Sequence, residues 1–349
     1  MNRYHRQQLL PQIGLAGQAR LRDSRVLLIG CGALGTVLAE QLVRAGVGMI
    51  RICDRDVVEP TNLQRQVLFT EADATDGTPK AVAAARRLAQ VNSSVDIDAR
   101  VVDVQADNIE ALLDFPGGTR ADVLLDGTDN ADVRYLINDV AVKHSIPWVY
   151  GACVGTEGRV MPIRPGNSAC LRCVFREPPA PGELPTCDTA GVLGPAAGVV
   201  ASIQAALAIK LLVGELTDED ESLLSLLSLN VWTGRFRSVS LQGERRADCP
   251  ACGLRRFDFL NREASDTAQL CGRNTIQIRP ADTAARVDLG LIARRWASIG
   301  VTQQTPHLVR CHLSNDDVSL TLFPDGRALI QGTNDPARAR SLYARYVGS

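Results

Sequence analysis

Arg25-Val26-Leu27-Leu28-Ile29-Gly30-Cys31-Gly32-Ala33-Leu34-Gly35 is the stretch on which the reading of the fold turns. Its first five residues form an apolar, β-prone run. The run breaks on Gly30, Gly32 and Gly35, and Thr36 to Ala45 then carries apolar residues at helical spacing. Strand, glycine turn and helix in this order make a phosphate-binding unit. The first glycine permits a tight turn, the second lets backbone N–H groups approach a phosphate, and the third lets helix and strand pack closely. The helix N-terminus adds a field that favours anions. A second strand at Met49 to Cys53 ends in Asp54, where a carboxylate can accept hydrogen bonds from a ribose. These residues ask for a nucleotide with ribose and phosphates, and they suit NAD as well as ATP.

Working outward, Lys80 to Val91 reads as a helix with Pro79 at its start, and Ile97 to Val104 and Val123 to Leu125 read as strands. Alternation of this kind implies an α/β fold: a doubly wound, mainly parallel, Rossmann-like sheet. After Pro147 the pattern changes to an antiparallel extension. Trp148 to Ile163 reads as strand, turn, strand, and Leu226 to Leu241 alternates around Thr233-Gly234. Glu177 to Pro185 is proline-rich and reads as an exposed loop, followed by a long apolar helix from Pro195 to Val213. The expected organisation is a nucleotide-binding domain over 1–256, a linker over 257–271 and a small α+β domain over 272–349.

The composition removes several function classes. The chain has 349 residues, 45% hydrophobic and 22% charged, with a net charge of -1. That is ordinary for a globular protein and shows no basic footprint for nucleic acid. The polar start, Met1 to Gln8, is not a signal peptide. The longest apolar stretch, Gly191 to Val213, is interrupted by Pro195, Ser202, Gln204 and Lys210, which argues for a buried helix rather than a membrane span. A cytoplasmic protein is expected.

Three clusters favour ATP over NAD. In Thr61-Asn62-Leu63-Gln64-Arg65-Gln66, the amides of Asn62 and Gln64 and the guanidinium of Arg65 can grip phosphate oxygens. Lys80, at a helix start, can place a point charge on a phosphate, although surface helices often carry a lysine there. Asp126-Gly127-Thr128-Asp129-Asn130 follows a strand, and strand C-termini are where doubly wound sheets bind ligands. Asp126 and Asp129 are hard oxygen ligands suited to magnesium, with an Asx turn as the competing reading for Asp126. Asn130 is counted with the nucleotide-binding residues.

Ten cysteines are present. Cys170-Leu171-Arg172-Cys173 and Cys249-Pro250-Ala251-Cys252 are two C-x-x-C pairs. Each sets two thiolates on one turn, and together they complete a tetrahedral zinc shell with no open position for water. Cys187 follows the proline-rich loop, where an exposed thiol can attack an acyl group. The sequence shows nothing that lowers its pKa.

These motifs resemble the ThiF/MoeB family, relatives of the ubiquitin-activating enzymes. The resemblance rests on Arg3-Tyr4-His5-Arg6-Gln7, the glycine loop, Asp54, Asn62 to Gln66, Lys80 and Thr128-Asp129-Asn130, and runs over roughly residues 1 to 255. Ala33 departs from it, where many members carry glycine. The resemblance implies that ATP and Mg2+ are used to adenylate the C-terminal carboxylate of a ubiquitin-like (β-grasp) protein ending in Gly-Gly. Asp54 would hold the ribose, Asn62, Arg65 and Lys80 the phosphates, and Asp129 the magnesium. Arg6 would reach into the active site of a second subunit, which implies a homodimer. The family also has the four-cysteine Zn2+ site, and in some members a cysteine in the region of Cys187 takes part in sulfur transfer. Molybdopterin, thiamine and other sulfur pathways share this chemistry. An NAD-dependent oxidoreductase accounts for the glycine loop and Asp54 but not for the other clusters or the cysteine pairs. A non-catalytic scaffold for a ubiquitin-like protein would have no use for Arg65, Lys80 and Asp129.

Overall fold

A computed structural model describes residues 2–180, 183, 187–214, 220–262, 267–270, 274–279, 287–314 and 317–348. The chain divides into two compact units, Met1–Glu263 and Ala264–Ser349.

The first unit contains strands β1 (Arg25–Ile29), β2 (Met49–Asp54), β3 (Asp96–Val101), β4 (Asp114–Phe115), β5 (Thr119–Arg120), β6 (Val123–Asp126), β7 (Trp148–Val154), β8 (Glu157–Ile163), β9 (Ser225–Asn230) and β10 (Arg235–Ser240). Its helices are α1 (His5–Gln8), α2 (Gly14–Asp23), α3 (Ala33–Ala45), α4 (Glu71–Asp76), α5 (Lys80–Val91), α6 (Ile109–Leu112), α7 (Ala131–His144), α8 (Leu171–Val174), α9 (Cys187–Ala190) and α10 (Gly194–Val213). Eight strands form one sheet in the order β10-β9-β8-β7-β6-β1-β2-β3. The ladders from β7 through β6, β1 and β2 to β3 are parallel, and β8, β9 and β10 add the antiparallel extension. The chain winds outward from β1 through β2 to β3 on one side and from β6 to β7 on the other. The reversal lies between β1 and β6, and it leaves a crevice at their C-terminal ends.

Alternation along β1 explains the double winding. Val26 and Leu28 face a core shared with α3, α5 and α10. Leu27 and Ile29 face a second core shared with α7 and the cysteine-bearing turns. A strand buried on both faces needs apolar residues at every position, which is what Val26-Leu27-Leu28-Ile29 supplies. By length and composition α10 could cross a membrane, but it packs on α3, β7 and β8. Its buried side is mostly alanine, including Ala196, Ala197, Ala201, Ala205 and Ala208, which lets the helix lie close to the sheet.

The second unit contains β11 (Thr267–Leu270), β12 (Thr275–Ile278), α11 (Leu289–Trp296), β13 (Gly300–Gln304), β14 (Val309–Leu313), β15 (Ser319–Leu322), β16 (Ala328–Gln331) and α12 (Pro336–Tyr346). Its sheet is antiparallel throughout, in the order β11-β12-β16-β15-β14-β13. Ile276, Leu320, Ile330 and Cys311 pack with Trp296 of α11 and Leu342 of α12 in one core. Asp288 and Asp335 cap the two helices through their side-chain oxygens.

The division between the units falls within the expected linker over 257–271, and both ends of that stretch take part in structure. Phe259 and Leu260 are buried in the first unit, and the Phe259 N–H donates to Asp139 Oδ2 at 2.8 Å. Thr267–Leu270 pairs with β12. Neither segment has a local signal, because the partner of the first lies 120 residues away and the second is a short edge strand.

Candidate active site and metal centre

The glycine loop sits where β1 and β6 end side by side. Gly30 has φ +89°, and a Cβ there would lie 2.7 Å from the Gly127 carbonyl. A Cβ on Gly35 would collide with the Gly30 carbonyl oxygen. Two loops, after β1 and after β6, therefore touch backbone to backbone, and only glycine fits the contact. Gly32 is not crowded in this way: a Cβ there meets nothing nearer than 3.9 Å, so its face of the loop is open to a ligand.

Asp54 ties this loop to β2. Its Oδ2 accepts the Cys31 N–H at 2.6 Å, and its Oδ1 accepts the Asp56 N–H at 2.7 Å. Burial lifts its carboxyl above the ordinary range, against the pull of the Lys80 ammonium. Lys80 is buried, and its Nζ donates to Asp56 Oδ2 at 3.0 Å. Burial opposes its charge, but Asp56, Asp54 and Asp129 more than offset this and hold the ammonium above its usual range. Lys80 is thus a permanent cation at the crevice, fed by an acidic cluster that includes Asp129.

Asp129 itself is exposed. Among the described residues its carboxylate makes no hydrogen bond or ion pair. A free carboxylate beside a cationic group fits a hard metal ligand better than a structural one. Asp126 behaves differently. It is fully buried, and its Oδ1 accepts both the Thr128 N–H and the Thr128 hydroxyl at 2.9 Å, while its Oδ2 pairs with Arg134 Nε at 3.0 Å. The Asx-turn reading therefore holds for Asp126, and it is not a free magnesium ligand.

Two other amides are spent on backbone. Asn62 is buried, and its Oδ1 accepts the Glu59 N–H, capping the short turn Pro60–Asn62. Asn130 caps α7 by accepting the Asp132 and Val133 N–H groups. Their oxygens shape loops, and only their amide nitrogens remain for a phosphate. Gln64 is exposed, and Arg65 Nη1 donates to the Thr61 carbonyl at 2.8 Å. Both lie beside Gly194 at the start of α10. Gln66, quoted in the motif but not singled out, is a residue the sequence reading missed. It is buried with an unpaired Oε1, and its Nε2 is the nearest atom to a Cβ on Gly32. Its position in the motif was the only available signal.

Arg6 is not brought to this crevice. Its neighbour Gln7 donates to the Ala45 carbonyl at 3.0 Å, at the far end of α3. A helix of 13 residues separates that carbonyl from the glycine loop by about 20 Å. Cys187 opens α9, which packs on β7, but its side chain lies outside the described residues and no role is assigned to it.

The four cysteines of the C-x-x-C pairs do meet. Sulfur separations are 3.5 Å for Cys170–Cys249, 3.4 Å for Cys173–Cys252 and 3.9 Å for Cys170–Cys173, and all four sulfurs lie within 4.8 Å of one another. A disulfide needs about 2.05 Å. Four sulfurs around a tetrahedral zinc at about 2.3 Å stand about 3.8 Å apart, so the donor set fits zinc in number, chemistry and spacing.

The first cysteine turn, and the segment that follows the second, are held to α7 by two adjacent buried side chains. Asn138 Oδ1 accepts the Leu171 N–H at 2.9 Å, and Asp139 holds Phe259. Burial pushes Asp139 up to about 6, with the Phe259 N–H and Arg172 pulling the other way. A carboxyl raised on folding penalises the fold when it is charged. The penalty is full above the raised value and fades as pH falls through about 6 toward 3.8. Asp139→Asn is therefore expected to be more stable than the wild type by up to about 3 kcal/mol at pH 8, with the gap closing between pH 6 and 4. Parallel denaturant titrations check this; a gap that widens on acidification would contradict it.

The sequence profile described as the ThiF family matches residues 4–251. The chain is 45% identical over 348 residues to the sulfur carrier protein ThiS adenylyltransferase of Bacillus subtilis (strain 168), covering 99% of each. It is 38% identical over 279 residues to the sulfur carrier protein adenylyltransferase of Thermus thermophilus, covering 78% of this chain and 97% of that one. A crystal structure of E. coli MccB with MccA-N7isoASN matches with a TM-score of 0.62 and 22% identity, covering 72% of this chain and 74% of that chain; at that identity the likeness speaks for the fold alone. The profile spans most of the chain and the Bacillus alignment runs through both units, so this protein belongs to the ThiF family.

Proposed function

We propose that the protein adenylates the C-terminal glycine carboxylate of a ubiquitin-like sulfur-carrier protein with ATP, for sulfur transfer into a cofactor such as thiamine or molybdopterin. The observation that carries this reading is a buried cation, Lys80, and an exposed carboxylate, Asp129, near enough for the carboxylate to help hold the ammonium's charge, at the glycine loop where the parallel sheet reverses. Two of the relatives are named as sulfur carrier protein adenylyltransferases.

In the proposed reaction a carboxylate oxygen of the carrier attacks the α-phosphorus. A new phosphorus–oxygen bond forms as the bond to the bridging oxygen breaks, and pyrophosphate leaves. Asp54 orients the ribose by accepting a hydrogen bond from one of its hydroxyls. Lys80 and Arg65 offset charge on the phosphates. Asp129 would hold magnesium, which would supply charge neutralisation for the leaving group. Arg6, held about a helix length from its own crevice, acts in the site of a second copy. Cys170, Cys173, Cys249 and Cys252 would give zinc four protein ligands and so a structural role. ATP-dependent exchange of labelled pyrophosphate, present only when a Gly-Gly-tailed carrier is added, tests the proposal. Exchange without carrier, or none with it, would overturn it.

A protein substrate needs a docking surface, and the β9–β10 hairpin offers one. β10 is the sheet edge, and Trp232, Phe236 and Val239 on this hairpin are exposed by 77%, 57% and 51%. Arg235 and Arg237 on β10 blunt the open edge by charge, so the exposed aromatic side chains, rather than the unpaired backbone, carry the argument for docking. Four strand spacings separate β10 from β6, about 19 Å, and an extended tail of about six residues spans that distance. The double variant Trp232→Ala, Phe236→Ala is expected to raise KM for the carrier about tenfold or more and to leave KM for ATP unchanged. Initial exchange rates over a range of carrier concentrations measure both; an unchanged carrier KM would remove the hairpin from recognition.

A further inference from the structure

Asp129 has no side-chain partner of its own among the described residues, so its direction is set by the backbone that carries it. That backbone is fixed from below by a buried chain of polar groups. Gln204, on α10, is fully buried, and its Nε2 donates to the Asp126 carbonyl at 2.9 Å and to the Val149 carbonyl at 3.3 Å. Its amide fills the space that a Cβ on Gly151 would take, so a larger residue at that position of β7 would push the amide off these carbonyls. Asp126 then binds Thr128 through both backbone and hydroxyl, and pairs with Arg134 on α7. Arg134 closes the circuit: its Nη2 donates to the Thr128 carbonyl at 2.8 Å, and its guanidinium lies 5.5 Å from the centre of the Tyr150 ring.

The Thr128 carbonyl belongs to the peptide that joins Thr128 to Asp129. A hydrogen bond to it fixes the plane of that peptide, and with it the direction in which Asp129 leaves the loop. The planar fork of arginine reaches Asp126 through Nε and this carbonyl through Nη2; lysine carries its donors on one nitrogen and cannot reproduce this rigid two-nitrogen grip. We propose that Arg134 is a positioning residue for Asp129, acting through the Thr128–Asp129 peptide, so that the protein's grip on magnesium-bound nucleotide depends on a side chain that need not touch it. This rests on the adenylation reading for the role of Asp129.

The test uses the full chain with Arg134→Lys, and with Thr128→Val, which removes the hydroxyl bond to Asp126 from the other side. Thermal protection by a non-hydrolysable ATP analogue is titrated with Mg2+, alongside pyrophosphate exchange with carrier. Both variants are expected to need at least fivefold more Mg2+ for half-maximal protection and for half-maximal exchange, with KM for ATP at saturating Mg2+ within twofold of the wild type. A purely structural role predicts a lower melting temperature with an unchanged Mg2+ midpoint, and that result overturns the proposal. If Arg134→Lys does not fold, Thr128→Val carries the same expectation. A wild-type protein with no exchange at all refutes the adenylation reading instead, and wild-type exchange with unshifted variants refutes only the role of Arg134.

Discussion

Asp129→Ala is expected to lower carrier-dependent pyrophosphate exchange by about a hundredfold or more while leaving the melting temperature within about 2 °C of the wild type. The loss follows from the proposed chemistry: a preorganised charge aimed at developing charge is worth about this much when removed. The unchanged stability follows from the geometry. Asp129 is exposed, and truncating an exposed side chain with no partner leaves nothing buried or unsatisfied. The neighbouring Asp126→Ala should behave in the opposite way, losing stability first, because it strands the Arg134 guanidinium and two donors of Thr128. The pair of variants separates chemistry from scaffolding within four residues. Near wild-type exchange in Asp129→Ala would take that residue out of the mechanism.

Removing the proposed zinc is expected to lower the melting temperature of the first unit by roughly 10 °C or more. The two C-x-x-C turns come from segments 79 residues apart and meet through sulfur, with Asn138 and Asp139 of α7 holding the backbone on either side. Without a metal the four thiols are crowded in a cluster whose favourable contacts are weak. The segment that returns Phe259 and Leu260 to the core then loses its anchor. Because α7 also carries the Asp129 loop at its N-terminal end, exchange should fail only as this unit loosens and should survive in metal-free protein assayed well below the new midpoint. Chelation with metal content measured before and after, followed by calorimetry, makes the comparison. A metal-free protein that melts at the wild-type temperature would contradict a structural role.

The parts of the site that were legible in the sequence are those in which local chain geometry does the chemistry. Gly30, Gly32 and Gly35 act through the shape of one turn, Asp54 through its place at a strand end, and the cysteine pairs through spacing within a turn. Lys80 was legible as a helix-start cation, but its burial against Asp56 was not, because that needs the fold. Asn62 and Asn130 show the limit of the same logic. An amide in a loop near phosphate-binding residues can serve ligand or backbone, and here its oxygen caps a turn or a helix. Gln204 was not legible as a site residue, since its partners on β6 and β7 lie 78 and 55 residues away; Arg134 lies only eight and six residues from Asp126 and Thr128, but an arginine one turn into a helix reads as an ordinary surface charge. Phe259 escaped for a related reason: a short apolar segment flanked by charge resembles a linker until Asp139 is placed beneath it.

The most direct test is the intact mass of a Gly-Gly-tailed carrier protein from the same cell, recovered after incubation with this chain, ATP and Mg2+. The expected product carries one AMP moiety on its C-terminal glycine, and a carrier shortened by that glycine gains nothing. If each such carrier returns at its starting mass while the chain is folded and holds ATP, the adenylation account is wrong.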